Sequence, residues 1–525
     1  MIEQPLPARK IALQNEGILL WQAYLLVFIS SSSGLILEMV ASRIMAPFAG
    51  TSLYTWTSVI GVALAGISFG NWLGGRLADR SASFQLLRRL YYVGGLTSLL
   101  IIPLTLPVMG SDPINGLPLQ LRVLVSAALL FFVPCSVFGT ISPVVIKLSL
   151  KDLTTAGGKV GSIYAVSTLG SIVGTFATGF FLISLFGTTM IVWLVSLLML
   201  LTGAILCLLF SSEGRPNRQY FMEVGLVLVI FIAISAPNFL NGRINGFCFK
   251  ETDYYCIRVQ DGVTPDGRPA KAMMLDLLIH NFIVPDLAEL GGYGYEQVYG
   301  DVAKWMNRQD EKIDLLVIGA GAFSFPRFVR SNFSDSSATA LEIDPGVVEV
   351  AHNQFALSRN TDINIFTEDA RTYMNRKDIA GKYSLVQGDA FLDVTPPYHL
   401  TTYEFNERVK NAMSSNGIYM VNLIDIGAYG DYLRSMLFTM HHSYKNIAVY
   451  VPGGDLYTPD RQTFVVVASN REDTYPETPN WKLFTYPELQ EYLSKGKAIL
   501  LTDDYVPVDN LLLPVVNKEL DRSKH

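Results

Sequence analysis

Apolar and polar residues follow two different patterns along the chain, and the change falls near residue 240. Before it, apolar runs of transmembrane length follow one another, and after it they shorten to the length of soluble strands and helices. Seven long runs can each cross a bilayer, at Gly17–Ala41, Tyr54–Leu73, Leu90–Met109, Leu119–Leu148, Val160–Phe186, Met190–Phe210 and Tyr220–Ala236. The pattern predicts a multi-pass α-helical membrane domain over residues 1–240.

Small and charged residues within these runs suggest two further features. Glycine recurs at helical spacing at Gly66, Gly70, Gly74, Gly170 and Gly174. Such stripes let helices pack closely in lipid, and we favour packing over a transport path. Glu38 lies near the end of the first run, shortly before Arg43. A carboxylate inside a membrane is a functional candidate, and an ion pair with Arg43 is the structural alternative.

Positive charges predict the orientation of the spans. Eleven Lys and Arg residues fall on one side: Arg9, Lys10, Arg76, Arg80, Arg88, Arg89, Lys147, Lys151, Lys159, Arg215 and Arg218. Only Arg43 and Arg122 fall on the other side, so the first side should be cytoplasmic. With seven spans, the C-terminal half lies on the outer face of the cell (inner) membrane. Cys248 and Cys256 could form a disulfide there.

The most informative soluble stretch runs from Asp314 to Ala351. A strand-like run, Leu315–Ile318, leads into Gly319 and Gly321, and a helix-like segment follows. A second strand-like run then ends at Glu342 and Asp344. Glycines let the backbone approach a ligand, and an acid one strand later can accept hydrogen bonds from a ribose. An ordinary βαβ turn with solvated acids is the alternative.

Four acidic residues fall at the predicted ends of strands in this half: Glu342, Asp344, Asp369 and Asp389. Strands alternating with helices predict a doubly wound α/β sheet, whose ligands bind beyond the carboxyl ends of the strands. Together the acids favour a nucleoside site. Glu342 could hold a ribose, Asp369 could accept from an adenine amino group, and Asp389 would face the reacting centre. Each alone could instead be a solvated loop acid or a helix cap.

Charge and cysteine content narrow the possible partners. The net charge of −6 and the absence of a basic tract argue against nucleic acid. The four cysteines have no metal-type spacing, so no metal is expected. The expected partners are the lipid bilayer and a small-molecule amine, and a homodimer is an open alternative.

Motifs in both halves resemble the spermidine synthase family, in particular the group fused to an N-terminal multi-pass membrane domain. The resemblance rests on Ile36–Gly61, Gly74–Arg80, Leu275–His280, Val317–Gly321, Leu341–Ala351, Glu368–Arg371, Gly388–Phe391 and His399–Phe405. The short segment Gly74–Arg80 also resembles a loop of major facilitator transporters. The family resemblance implies a small β subdomain, residues 241–295, before a Rossmann-like domain of the class I methyltransferase type, residues 296–525.

The resemblance also implies a ligand and a reaction. Decarboxylated S-adenosylmethionine would give its aminopropyl group to a diamine such as putrescine. Asp389 matches the proton acceptor of the family. Glu342, Asp369 and Ala370 match its nucleoside contacts, together with Gly319, Gly321 and Asp344 from the pattern above. Pro396 and His280 stand at positions that line the site, and His280 replaces the usual glutamine.

Several positions depart from the family pattern. Ala322 replaces the acid of the glycine turn, which holds the aminopropyl amine in soluble members. The acidic gate after Asp389 is reduced to Asp393, and a Tyr-His-Glu segment is reduced to Tyr295 and Glu296. These three residues and His280 are the expected contacts of the amine substrate. Losing a buried carboxylate partner for an ammonium costs about 3–5 kcal/mol.

The sequence therefore favours a membrane-bound aminopropyltransferase and leaves three alternatives. The domain could bind a nucleoside or polyamine without transfer, and sense or gate for the membrane half. It could transfer another group from an adenosyl donor, such as a methyl group. A transporter is the weakest alternative, because the spans show no polar stripe beyond Glu38 and Arg43.

Overall fold

The computed structural model divides the chain into two compact units. It describes residues 18–50, 52–150, 153–209, 218–240, 246, 248–264, 267–284, 286, 288–392, 395–472 and 474–516. One unit comprises residues 1–45 and 54–247, and the other comprises residues 46–53 and 248–525. The first is helical and the second contains all the described strands.

The N-terminal unit is built from long apolar helices. Its helices are α1 Leu20–Ala49, α2 Leu53–Ser81, α3 Phe84–Met109, α4 Asp112–Asn115, α5 Leu119–Ser149, α6 Ala156–Ala177, α7 Ile183–Leu209 and α8 Arg218–Leu240. Within the described residues, six helical stretches are long and apolar enough to cross a membrane. They are consistent with a membrane domain.

One of the six stretches contains the predicted run Val160–Phe186 and most of the next one, Met190–Phe210. It covers 51 residues, Ala156–Leu206. As one straight helix it would be about 76 Å long at 1.5 Å per residue, against a hydrocarbon core of about 30 Å. A π-helical turn at Thr178–Leu182 and a non-helical Gly187 (φ 73°, ψ 164°) interrupt it. The interruption leaves two segments that are each long enough to span.

The glycine stripes lie where two helix backbones approach each other. A Cβ atom on Gly70 of α2 would lie 2.0 Å from the carbonyl oxygen of Ser136 in α5, and one on Gly74 would lie 2.6 Å from that of Thr140. Gly170 of α6 meets the carbonyl oxygen of Phe28 in α1 at 2.7 Å in the same way. The packing interpretation is confirmed, because any larger residue would push these helices apart.

A four-stranded antiparallel sheet opens the second unit, with strands β1 Lys250–Glu251, β2 Cys256–Val263, β3 Pro269–Leu275 and β4 Leu278–Ile283 in that order. A disulfide joins Cys248 to Cys256. The apolar stretch that begins near Lys271 forms two strands, because the chain reverses between β3 and β4. Asp276 adopts a left-handed φ of 49° in that turn.

An eight-stranded sheet forms the core of the remaining domain. Its strands are β5 Ile313–Ile318, β6 Ser336–Leu341, β7 Asn364–Phe366, β8 Tyr383–Gly388, β9 Met413–Ile426, β10 Asn446–Pro452, β11 Arg461–Ser469 and β12 Trp481–Thr485. Its helices are α9 Gly294–Arg308, α10 Ser324–Asn332, α11 Pro345–Gln354, α12 Ala370–Tyr373, α13 Tyr403–Ala412, α14 Asp431–Ser443, α15 Gln490–Ser494 and α16 Val508–Leu511.

The strand order is β12-β10-β11-β9-β8-β5-β6-β7. Five neighbouring strands, in the sheet order β9, β8, β5, β6 and β7, are parallel to one another. Strand β11 lies antiparallel to β9. This confirms the predicted Rossmann-like fold of the class I methyltransferase type. Leu315, Leu316 and Val317 of the central strand are buried, as expected for a strand covered on both faces. Parallel strands bring their carboxyl ends to one edge, which is where the candidate site lies.

Candidate active site

A cavity of about 290 Å³ lies at the carboxyl edge of the parallel strands. Its lining includes Gly319 after β5, Glu342 after β6, Asp369 after β7 and Asp389 after β8. The structure thus brings together four of the predicted residues that are separated by up to 70 positions in the chain. The parallel sheet causes this convergence, because each strand ends at the same edge.

The glycine turn after β5 forms the floor of the cavity. Gly319 has φ +85°, and a Cβ there would lie 2.6 Å from the carbonyl oxygen of Asp389. Gly321 has φ +51°, and its Cβ would lie 2.3 Å from Oδ1 of Asn281. Both positions therefore require glycine for backbone conformation and for space. The bare turn leaves room for a ligand against the backbone.

Glu342 lies in the cavity wall with its carboxylate held by two backbone donors. Its Oε2 accepts a hydrogen bond from the Gly321 N–H, and its Oε1 accepts one from the Asp344 N–H, each at 3.1 Å. Burial raises the pKa of Glu342 to about 7, although these hydrogen bonds oppose the shift. A carboxylate has about four lone-pair sites, so two remain for a ligand hydroxyl pair.

Asp344 does not line the cavity, which corrects its assignment as a ligand contact. It is fully buried. Its Oδ1 accepts from the Gly346 N–H at 2.7 Å and caps α11, and its Oδ2 accepts from the Thr252 hydroxyl at 2.6 Å. Asp344 therefore positions Glu342 through the backbone and ties the β subdomain to the larger domain.

Asp369 and Ala370 lie at the start of α12, beside a histidine that the site prediction missed. The Asp369 carboxylate caps α12 through the Thr372 N–H at 3.0 Å, and His399 Nε2 lies 2.9 Å from its Oδ2. Burial raises the pKa of Asp369, but the hydrogen bonds from His399 and Thr372 outweigh it and leave the pKa below its ordinary value. His399 also lines the cavity, so Asp369 is an ionised acceptor with a fixed orientation.

Asp389 is the acid at the end of β8. Its Oδ1 accepts from Asn422 Nδ2 at 2.8 Å, and its Oδ2 accepts from Gln387 Nε2 at 3.3 Å. Burial raises the pKa of Asp389 to about 7, while the hydrogen bonds from Asn422 and Gln387 lower it. A carboxylate with that pKa can both take up and release a proton near neutral pH.

A second cavity, of about 350 Å³, shares His280, Asp389 and Phe391 with the first. Tyr295 lines it as predicted, together with Tyr293, Asn422, Ile424, Arg461 and Thr463. Burial lowers the pKa of His280 to about 4, so its ring is neutral. Its Nε2 is buried and has no hydrogen-bond partner in the part of the chain that the structure describes. Asp389 therefore stands where two separate spaces meet.

Glu296 lies behind the first cavity and not in its lining. It is 2% exposed, and burial raises its pKa to about 7. Its Oε1 accepts from the Ser324 hydroxyl at 2.6 Å, and Asn281 Nδ2 donates to Ser324 Oγ at 3.2 Å. Ser324 and Asn281 both line the cavity. The predicted contact of Glu296 with substrate is corrected to a supporting role through Ser324.

Three further predicted positions have different outcomes. Pro397 lines the first cavity, and Pro396, the predicted proline, does not. Asp393 lies outside the described residues. Ala322 packs in an apolar cluster with Tyr255, Met273 and Val347, and it is fully buried. Asn281, His399 and Arg461 were missed, since only pairing with distant elements places them at the site.

Several known proteins are similar in sequence to part of this chain. No family model matches the chain. The chain is 29% identical over 150 residues to a polyamine aminopropyltransferase of Vibrio vulnificus, which covers 28% of this chain and 50% of that protein. It is 30% identical over 125 residues to the human eEF1A lysine and N-terminal methyltransferase, covering 22% of this chain and 18% of that protein. The chain thus matches only about half the length of the Vibrio relative.

Among solved structures, a probable spermidine synthase from Corynebacterium glutamicum aligns with a TM-score of 0.42 at 17% identity. The alignment covers 47% of this chain and 93% of that one.

Proposed function

We propose that this chain, whose C-terminal domain belongs to the spermidine synthase family, transfers an aminopropyl group from decarboxylated S-adenosylmethionine to an amine. The observation that carries the proposal is the position of Asp389 between two cavities. One cavity has the acids that suit a nucleoside, and the other, which also has Asp389 in its lining, leaves room for an acceptor. The apolar N-terminal helices would hold the enzyme in the membrane.

The first cavity suits the nucleoside of the donor. Glu342 keeps two lone-pair sites that could bind the ribose hydroxyls. Asp369, ionised and oriented by His399, could accept from the adenine amino group, with the small Ala370 beside it. The glycine turn would lie against the sulfur end of the donor, close to Asp389.

Asp389 would act as the general base. Its carboxylate takes a proton from the acceptor ammonium, which frees the nitrogen lone pair. The lone pair forms a bond to the aminopropyl carbon next to sulfur, and the carbon–sulfur bond breaks. Its electron pair stays on sulfur, the sulfonium charge is neutralised and methylthioadenosine leaves. The proton on Asp389 then passes to solvent, which its pKa of about 7 permits at neutral pH.

The location of this chemistry follows from the charge pattern and the disulfide. We infer that the soluble domain faces the outside of the cell membrane. The Cys248–Cys256 bond supports this, because disulfides persist in oxidising compartments. The donor and acceptor would then be met outside the cytoplasm.

Release of methylthioadenosine tests the function. Purified full-length protein, given decarboxylated S-adenosylmethionine and a set of amines, should release it, and Asp389→Asn should lower the rate by about 100-fold or more. Asp362→Asn is the matched control, because that exposed aspartate pairs with Arg330 away from the site. Equal release by Asp389→Asn and the unaltered protein would refute the proposal. Methyl-labelled S-adenosylmethionine, tried in parallel, would reveal a methyltransferase.

A further inference from the structure

The second cavity carries two opposite charges. Among the described residues that line it, Asp389 is the one acid and Arg461 is the one Lys or Arg. His280 is neutral because burial lowers its pKa to about 4. Ala390, Phe391 and Leu392 follow Asp389 and add no charge, and the acid after them, Asp393, lies outside the described residues.

The sheet register separates the two charges. Asn422 of β9 holds Asp389, and Arg461 of β11 pairs with Ile426, four residues further along β9. Four residues of strand span about 13 Å at about 3.3 Å each. Thr463 faces Ile424 between these points. Asn422, Ile424, Thr463 and Arg461 therefore lie on one face of the sheet and form a track from the base to the guanidinium.

An acceptor in this track places its reacting nitrogen at Asp389 and its other end toward Arg461. The far end of a diamine is a second ammonium, which would meet the positive charge of Arg461. The described lining residues include no second acid that could bind this ammonium. A carboxylate at the far end would instead meet a guanidinium whose fork matches carboxylate geometry. A guanidinium has five N–H donors, and a bidentate contact with a carboxylate uses two of them.

We propose that the acceptor is a primary amine that carries a carboxylate at its far end, not a diamine. The inference deepens the proposed function, on which it rests, by naming the substrate class of the acceptor cavity. Tyr293, Tyr295 and Ile424 provide apolar and aromatic walls for the intervening carbons, and Thr463 also lines the cavity. The transfer itself is unchanged, since the new bond forms at the nitrogen beside Asp389.

Calorimetry on the full-length protein in detergent tests the substrate class without relying on turnover. The protein is saturated with methylthioadenosine at pH 8 and titrated with ω-amino carboxylates from 3-aminopropanoate to 6-aminohexanoate. Diamines of matching chain length are titrated in parallel. We expect the best amino carboxylate to bind at least about tenfold more tightly than its matching diamine. Equal or tighter binding of the diamines, or no binding by either class, would overturn the inference.

Variants of Arg461 test whether this residue determines the preference for amino carboxylates over diamines. Arg461→Glu should reverse the preference, a change of about 100-fold in the ratio of the two dissociation constants. Arg461→Gln should remove the preference, and Arg461→Lys should keep its direction. The control is Arg359→Glu, which makes the same charge change at an exposed residue bonded to Asn353. An unchanged ratio in folded Arg461→Gln and Arg461→Lys would count against the proposal.

The two hypotheses fail in different ways. If amino carboxylates bind as expected but no methylthioadenosine is released with any amine, the proposed transfer is wrong and the ligand class stands. If methylthioadenosine is released with putrescine at a higher kcat/KM than with every amino carboxylate, the transfer stands and the ligand class is wrong.

Discussion

At the scale of single residues, buried carboxylates distinguish this site. Asp389, Glu342 and Glu296 each have a pKa of about 7, and burial is the largest cause in every case. Desolvation penalises the charged form, so each side chain changes protonation near neutral pH. Hydrogen bonds donated to each carboxyl group partly offset this rise in pKa. The site is therefore poised for proton transfer rather than for permanent ion pairing.

The raised pKa of Asp389 predicts the acid side of the pH–rate profile. Only the ionised carboxylate can accept a proton, so kcat at saturating donor should fall about tenfold per pH unit below 7. An ordinary aspartate would place this limb near 4. Protonation of Glu342 should appear separately, as a rising KM for the donor. A kcat that stays constant down to pH 5 would contradict the assignment.

Asn422 offers an internal check on that profile. Its hydrogen bond to Asp389 lowers the pKa of the carboxyl group. Asn422→Leu should therefore move the acid limb to a higher pH, and Asn353→Leu, at an exposed position, should leave it in place.

At the scale of elements, glycine determines how closely backbones approach in both units. In the soluble unit, Gly319 and Gly321 bring the turn after β5 against Asp389 and Asn281. In the N-terminal helical unit, Gly66, Gly70 and Gly74 bring α2 against α5. The two uses of glycine differ physically. The turn after β5 requires positive φ, whereas the helical glycines require only the missing Cβ.

The helical glycines allow a matched pair of substitutions on one helix. Gly70→Ala places a Cβ 2.0 Å from the Ser136 carbonyl oxygen, whereas a Cβ on Gly75 meets no heavy atom within 4 Å. Gly70→Ala should cost about 1–3 kcal/mol through overpacking, and Gly75→Ala should cost almost nothing. Thermal unfolding of both variants in the same detergent measures the difference. Equal midpoints would mean that α2 and α5 do not pack through this stripe.

At the scale of the whole molecule, the orientation in the membrane decides which substrates the site can meet. The charge pattern predicts an outer location, where a disulfide such as Cys248–Cys256 would persist. Orientation also depends on the number of spans, since one more or one fewer would move the soluble domain to the cytoplasm. The break at Gly187 bears directly on that number.

Thiol labelling of intact cells tests the orientation. A membrane-impermeant thiol reagent should label the protein only after mild external reduction, because Cys248 and Cys256 are joined. The variant with both cysteines changed to serine should stay unlabelled, since Cys135 is buried and Cys207 lies in an apolar run that is predicted to span the membrane. Labelling that needs opened cells would place the domain inside and require an even number of spans.

The resemblance and the strand pattern predicted the sheet and the edge where the site lies. Leu315–Ile318 and Ala338–Leu341 have the apolar runs of buried parallel strands, so the acids that follow them had to meet at one edge. The pattern could not tell which acid faces the ligand. Asp344 and Glu342 are two residues apart, and hydrogen bonds with Thr252 and Gly321 determine their roles.

The sequence by itself determined the apolar spans, the helix-packing glycines, the glycine turn and the acids at the strand ends, because these depend on local composition and period. Only the tertiary structure placed His399 beside Asp369, Glu296 behind Ser324 and Arg461 in the cavity of Asp389. Each of these placements brings together residues from different elements of the chain. Periodicity reports which face of an element is buried, whereas the partner on that face depends on how the elements assemble.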